Sequence, residues 1–135
     1  LEPGEMDEFV ADEHSLAIEV DGVVVGAVQY GEEEDPMYRN ATIDVYLTAS
    51  RHGEGLGSEA VLVLARYLIE ERGHHRLTID PAAGNRAAIR AYEKVGFRRV
   101  GGMRSYERGP AGTFHDGLLM EMLADELVTA DETPS

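Results

Sequence analysis

The sequence predicts an α/β layer fold, a mixed sheet with a helix covering each face, and three observations carry that expectation. Residues 15–48 alternate apolar and polar positions, as strands do. A long stretch after them repeats apolar residues every three to four positions, and a short strand and a second helical segment follow it. Two further alternating segments then close the pattern. At 135 residues the chain holds one hydrophobic core and reads as a single domain over 1–135. Residues 124–135 read as a loose acidic tail.

In chain order, residues 5–13 read as the end of a short acidic helix. "SLAIEVDGVVVGAVQY" gives two strands, 15–21 and 22–30, joined at Asp21–Gly22, a dipeptide suited to a tight hairpin turn. "GEEEDPMYRN" (31–40) is a polar, proline-containing segment without periodicity and reads as a loop. "ATIDVYLT" (41–48) is a third strand. After "RHGEGLG" a helix is expected over 55–72, because Leu56, Ala60, Leu64 and Leu68, flanked by Val61, Ala65 and Ile69, make one broad apolar face. Gly73 is placed to end it. "HRLTID" (75–80) is a short strand, and a second helix runs over 85–95. "FRRVGGMRSYE" and "FHDGLLMEML" are the last two strands, separated by the loop "RGPAG".

Composition narrows the function. A net charge of −14 opposes nucleic-acid binding, which needs a basic surface to neutralise phosphates. The charge is unevenly spread, at −12 over residues 1–50, +4 over 51–108 and −6 over 109–135. One reading is a generally solvated acidic surface. The other is a protein whose middle receives an anion and whose outer segments receive a cation. Zero cysteines exclude disulfides, thiolate metal sites and a cysteine nucleophile, and they fit a cytoplasmic protein. The histidines His14, His52, His74, His75 and His115 are scattered, so no metal is expected. No apolar run is long enough to span a membrane, and no basic-then-apolar leader precedes the first element.

Two segments carry chemistry. A strand leading through "HGEGLG" into a helix presents backbone N–H groups at a positively polarised helix N-terminus, where phosphate binds well. Gly53, Gly55 and Gly57 match neither the lysine-containing phosphate loop nor the dinucleotide fingerprint. They leave His52-x-x-Gly55-x-Gly57, which a plain tight turn would also satisfy. In the second helix Asn85 is a good N-cap, and Ala88, Ile89 and Tyr92 share one face. Tyr92 reads either as a core aromatic or as a reactive phenol.

Together these segments, His52-x-x-Gly55-x-Gly57 and Asn85…Tyr92-Glu93-Lys94-Val95-Gly96-Phe97, resemble the GNAT N-acetyltransferases over roughly residues 15–123. "TIDPAAGNRAAIRAYEKVGF" is most similar to aminoglycoside 6′-N-acetyltransferases. "EEEDPMYRNATIDVYL" and Asp116–Gly117 add weaker likenesses. The resemblance implies a mostly antiparallel central sheet with helices on both faces, its N-terminal strand and helix abbreviated or missing before Ser15. It implies acetyl-CoA as co-substrate, held by Leu47, His52, Gly53, Glu54, Gly55, Leu56, Gly57, Ser58, Asn85, Ala88 and Tyr92. Tyr92 would be the general acid toward the departing thiolate. Asp44, Asp80 and Asp116 would hold a cationic amine, with Asp80 first and Asp44 second as proton acceptor. The run Glu32–Glu33–Glu34–Asp35 reads as a solvated loop or as an acidic rim for that cation. His52 stands where the family usually has Arg or Gln. The implied acceptor is a polycationic small molecule, an aminoglycoside first. A protein or peptide N-terminus and a non-catalytic CoA-binding module are the alternatives. No nucleic acid or membrane partner is expected, and a homodimer is compatible with the sequence.

Overall fold

The computed structural model describes residues 6–8, 14–47 and 56–128. Their elements are β1 (Met6–Glu8), β2 (Ser15–Val20), β3 (Val23–Glu33), β4 (Asn40–Leu47), α1 (Leu56–Glu70), β5 (Arg76–Ile79), α2 (Arg86–Val95), β6 (Arg98–Arg108) and β7 (Phe114–Leu123). A 3₁₀ turn, Ala124–Glu126, follows. The described strands form one mixed sheet in the order β1-β2-β3-β4-β5-β7-β6. All neighbours are antiparallel except β4 and β5, which α1 connects as a parallel pair.

Local chemistry explains the boundaries. Asp21 and Gly22 both take positive φ, at 52° and 81°, the geometry of the tight turn that joins β2 to β3. α1 buries Ala60, Val61, Leu62, Leu64, Ala65 and Leu68. Beyond its last turn Gly73 takes φ 72°, and Arg39, the residue before β4, donates to the carbonyls of Arg72 and Gly73 at 2.6 and 3.0 Å. That guanidinium supplies the donors that a helix end lacks.

Register identifies the covered face. Tyr30 pairs with Ile43, Ile43 with Ile79, and Ile79 with Met120. These side chains therefore share one face. Tyr67 of α1 meets Tyr30 edge to face, while Met122, on the same side as Met120, lies against Gly96 at the end of α2. Both described helices thus pack on one side and share one core, with Ile18, Val28, Ile43, Val61, Leu64, Leu68, Leu77, Val95, Met120 and Met122 fully buried. The α/β class and the mostly antiparallel sheet are as expected, and the two described helices lie together on one side of it. Among the described residues no helix covers the side that carries Thr42, Asp44, Thr78 and Glu121. Helical periodicity says which face of a helix is apolar, and says nothing about which side of the sheet receives it.

Three smaller expectations change. Met6–Glu8 is a strand paired with Leu16–Ile18, where a helix was expected, because an open sheet edge offers those residues partners. Gly31–Glu33 extends β3 and Asn40 begins β4, so the 31–40 loop shrinks to its middle. Residues 124–128 are not loose. Glu126 pairs with Arg98 at 2.8 Å, and the Val128 amide donates to the Val95 carbonyl at 3.2 Å.

Candidate active site

The site grows from the place where β4 and β5 part. Their ladder runs through Ala41–Leu77, Thr42–Thr78 and Ile43–Ile79, tied by a 2.8 Å contact between the two threonine hydroxyls, and then stops. β4 continues as Asp44–Leu47, while the other chain leaves the sheet at Asp80–Pro81. The carboxyl ends of a parallel pair that diverges are a favoured ligand position in α/β sheets. Leu47 also faces the first turn of α1, since a Cβ at Gly57 would stand 3.7 Å from its Cδ1. Leu56, Gly57 and Ser58 thus bring the first turn of α1 beside Leu47 of β4. His52, Gly53, Glu54 and Gly55 lie outside the described residues.

On the other side of the gap, Asn85 accepts a hydrogen bond from the Ala88 amide at 3.2 Å and caps α2. Two turns on, Tyr92 is 7% exposed and meets Phe97 edge to face at 6.5 Å. Burial first, then the negative charges of Asp44 and Asp80, pushes its phenol up to about 12. Such a phenol keeps its proton at neutral pH and is a donor. The core reading and the reactive reading of Tyr92 are therefore compatible: its ring packs while its electrostatics answer to two carboxylates.

Asp44 projects from the open face of β4. Its carboxyl is raised above the ordinary carboxylate range by partial desolvation, then by the charges of Asp80 and Glu107. Asp80 follows β5 directly, in a segment pinned to β7 by hydrogen bonds from the Ala83 amide to the Asp116 carbonyl and from the Leu118 amide to the Pro81 carbonyl, each 2.9 Å. Asp80 Oδ2 accepts a short hydrogen bond from the Tyr106 hydroxyl. The structure thus brings Tyr92, Asp44 and Asp80 into one electrostatic neighbourhood with Tyr106 and Glu107, two residues that sequence reasoning missed. Asp116 is placed differently. One of its carboxylate oxygens accepts the Ser105 amide at 2.9 Å, so it fastens the β6–β7 hairpin.

The acidic run also divides. Glu32 lies on β3 with its side chain 8% exposed, bound to Arg72 at 3.0 Å and to His74. Hydrogen bonding to Arg72 outweighs burial and, with His74, holds its carboxyl down at about 2. Its charge is spent internally, so the acidic-rim reading does not apply to Glu32. Asp35 accepts the Met37 amide in the exposed turn beyond it.

Among the described residues the arrangement is two-layered, with a helix N-terminus and a capped second helix flanking a split parallel pair. The chain belongs to the acetyltransferase (GNAT) family, whose sequence model matches residues 2–97. It is 28% identical over 124 residues, 90% of its length, to an SPbeta prophage-derived uncharacterized N-acetyltransferase of Bacillus subtilis (strain 168). Over 81 residues, 59% of the chain, it is 41% identical to the aminoglycoside N(6′)-acetyltransferase type 1 of Klebsiella pneumoniae. The chain spans 66% and 39% of the lengths of these two curated relatives. Among solved structures it superimposes on a probable acetyltransferase with a TM-score of 0.74 and 26% identity, covering 83% of this chain and 62% of the other.

Proposed function

We propose that this chain carries the catalytic half-site of an acetyl-CoA-dependent N-acetyltransferase that acts on a polycationic small molecule, an aminoglycoside first. The single observation that carries the reading is the buried phenol of Tyr92 in one electrostatic neighbourhood with Asp44 and Asp80, the two carboxylates beside the point where β4 and β5 part. The 41% identity to an aminoglycoside N(6′)-acetyltransferase supports the choice of acceptor.

The residues fit the co-substrate. Leu47 and the first turn of α1, at Leu56, Gly57 and Ser58, stand where a pantetheine arm and a diphosphate would run, and Gly57 leaves room there. Asn85 spends its side-chain oxygen on the Ala88 amide, which leaves the amide NH₂ as the group for a ligand. When bound, acetyl-CoA supplies an acetyl group activated as a thioester. Tyr92 donates a proton to the departing sulfur, since a phenol held in hydrogen-bond reach can protonate a thiolate. Asp80 and Asp44 hold the acceptor's ammonium and take the proton that it must lose before it attacks. A carboxyl raised by partial burial and by its acidic neighbours, as Asp44 is, is the better proton acceptor of its kind. No covalent enzyme intermediate is required, and the cysteine-free sequence supports direct transfer in a cytoplasmic setting.

Free-thiol release tests the reading, with acetyl-CoA and a panel of kanamycin, spermidine and a lysine-rich peptide. Turnover highest with kanamycin is the expected result. Preference for the peptide would redirect the assignment to a protein substrate. Acetyl-CoA binding by calorimetry without thiol release from any amine would overturn catalysis and leave a coenzyme-binding module.

A further inference from the structure

The β6–β7 hairpin holds a device that the proposed reaction has not yet used. Between the pairs Met103–Gly117 and Glu107–His115 the ladder slips, so Arg104, Ser105 and Tyr106 stand opposite the single residue Asp116. Three features hold this bulge in shape. Ser105 takes φ 48°, a left-handed conformation that is unfavourable for a non-glycine residue. Asp116 accepts the Ser105 amide at 2.9 Å. Gly117 is the floor: a Cβ there would lie 2.8 Å from Cδ2 of Tyr106, so only glycine lets that ring settle. Gly117 is also bridged to Ala82, which ties the floor to the segment after Asp80. The outcome is a phenol laid over Gly117 with its hydroxyl on Asp80.

Resting on the acetyltransferase reading above, we propose that Tyr106 is the positioning residue for the acceptor carboxylate of Asp80. Its hydroxyl occupies Oδ2 and fixes the carboxylate's rotation, and Oδ1 is the oxygen that receives the acceptor's ammonium. Glu107, next along the bulge, adds its charge to those of Asp44 and Asp80. The hairpin is thereby the element that selects the acceptor, while the helices handle the coenzyme. The bulge explains the arrangement physically. In a regular strand residues 105 and 106 would alternate faces, whereas a slipped register re-aims one side chain toward a neighbouring segment.

Tyr106→Phe keeps the ring and removes the hydroxyl. The expected result is a fall of about tenfold in kcat/KM for kanamycin, carried mainly by KM, with acetyl-CoA affinity by calorimetry within about twofold of the wild type. Kanamycin affinity, measured by calorimetry with CoA present, should weaken in parallel. In an Asp80→Asn background the same change should add nothing, because the two residues act as one unit. Gly117→Ala, which pushes the ring off its floor, should reproduce the kinetic split. Effects of Tyr106→Phe and Asp80→Asn that multiply independently, or unchanged kanamycin affinity and kcat/KM in Tyr106→Phe, would overturn the proposal. Absence of thiol release by the wild type would overturn the catalytic reading instead, with kanamycin affinity still deciding on Tyr106. If the wild type neither turns over nor binds kanamycin, both fail.

Discussion

Tyr92 and Asp44 show how one neighbourhood shifts two unlike groups in the same direction for complementary uses. Burial and nearby carboxylates penalise a negative charge, so the phenol is held at about 12 and the carboxyl is lifted. Tyr92→Phe should lower kcat by about 10²-fold, within the range for losing a general acid, and should leave acetyl-CoA affinity within about twofold. Stopped-flow thiol release and calorimetry measure the two quantities separately. Asp44 carries a stability cost. A raised carboxyl contributes most to folding below its ordinary range near ~3.9 and loses that contribution as pH rises through the raised value. Asp44→Asn should therefore raise Tm at pH 7–8, an advantage that disappears toward pH 3, while kanamycin turnover falls by at least about tenfold. A thermal-shift series across pH checks the first, and steady-state kinetics the second.

Element ends, more than element middles, build this site. At Tyr46 and Leu47 of β4, Gly26 of β3 comes so close that a Cβ there would sit 2.3 Å from the Tyr46 carbonyl oxygen and 2.9 Å from Leu47 Cδ2. Opposite it β2 slips register between Ile18 and Glu19, which bends the sheet edge at the same level. Gly26→Ala meets backbone there, so the two strands must separate. The expected cost is about 2–4 kcal/mol of stability by denaturant titration, accompanied by weaker acetyl-CoA binding, because Leu47 shifts against the first turn of α1. α2 is built in the same way, with its cap residue at one end of the gap and its buried tyrosine at the other. The Asn85 and Tyr92 spacing was readable because capping and the helical period are local rules. The hairpin bulge was not, since "RSYER" alternates as any strand would, and its slip depends on Asp116 and Gly117, eleven residues away from Ser105 and Tyr106 respectively.

Across the whole molecule the charge division acquires a location. Asp44, Asp80 and Glu107 gather negative potential on the acceptor side, while Arg86, Arg90 and Lys94 recur along α2, whose N-terminal end adjoins the gap. A net charge of −14 adds long-range attraction for a polycation. KM for kanamycin should therefore rise several-fold between about 20 mM and 300 mM salt, as the screening length shortens from roughly 20 Å to below 10 Å. A neutral-to-monocationic amine acceptor should show a much smaller change in the same assay.

By itself the sequence determined the α/β class, the position of both helices within a few residues, the hairpin at Asp21–Gly22, and the motif pair that resembles the family. Each of these depends on periodicity, caps and turn residues, which act over a few bonds of chain. Only the tertiary structure decided that both described helices share one face, that Glu32 is bound to Arg72 and His74, and that Asp116 anchors a bulge holding Tyr106 on Asp80. Those outcomes turn on strand order, register and which charges meet across the sheet, and such contacts join residues that the chain keeps far apart.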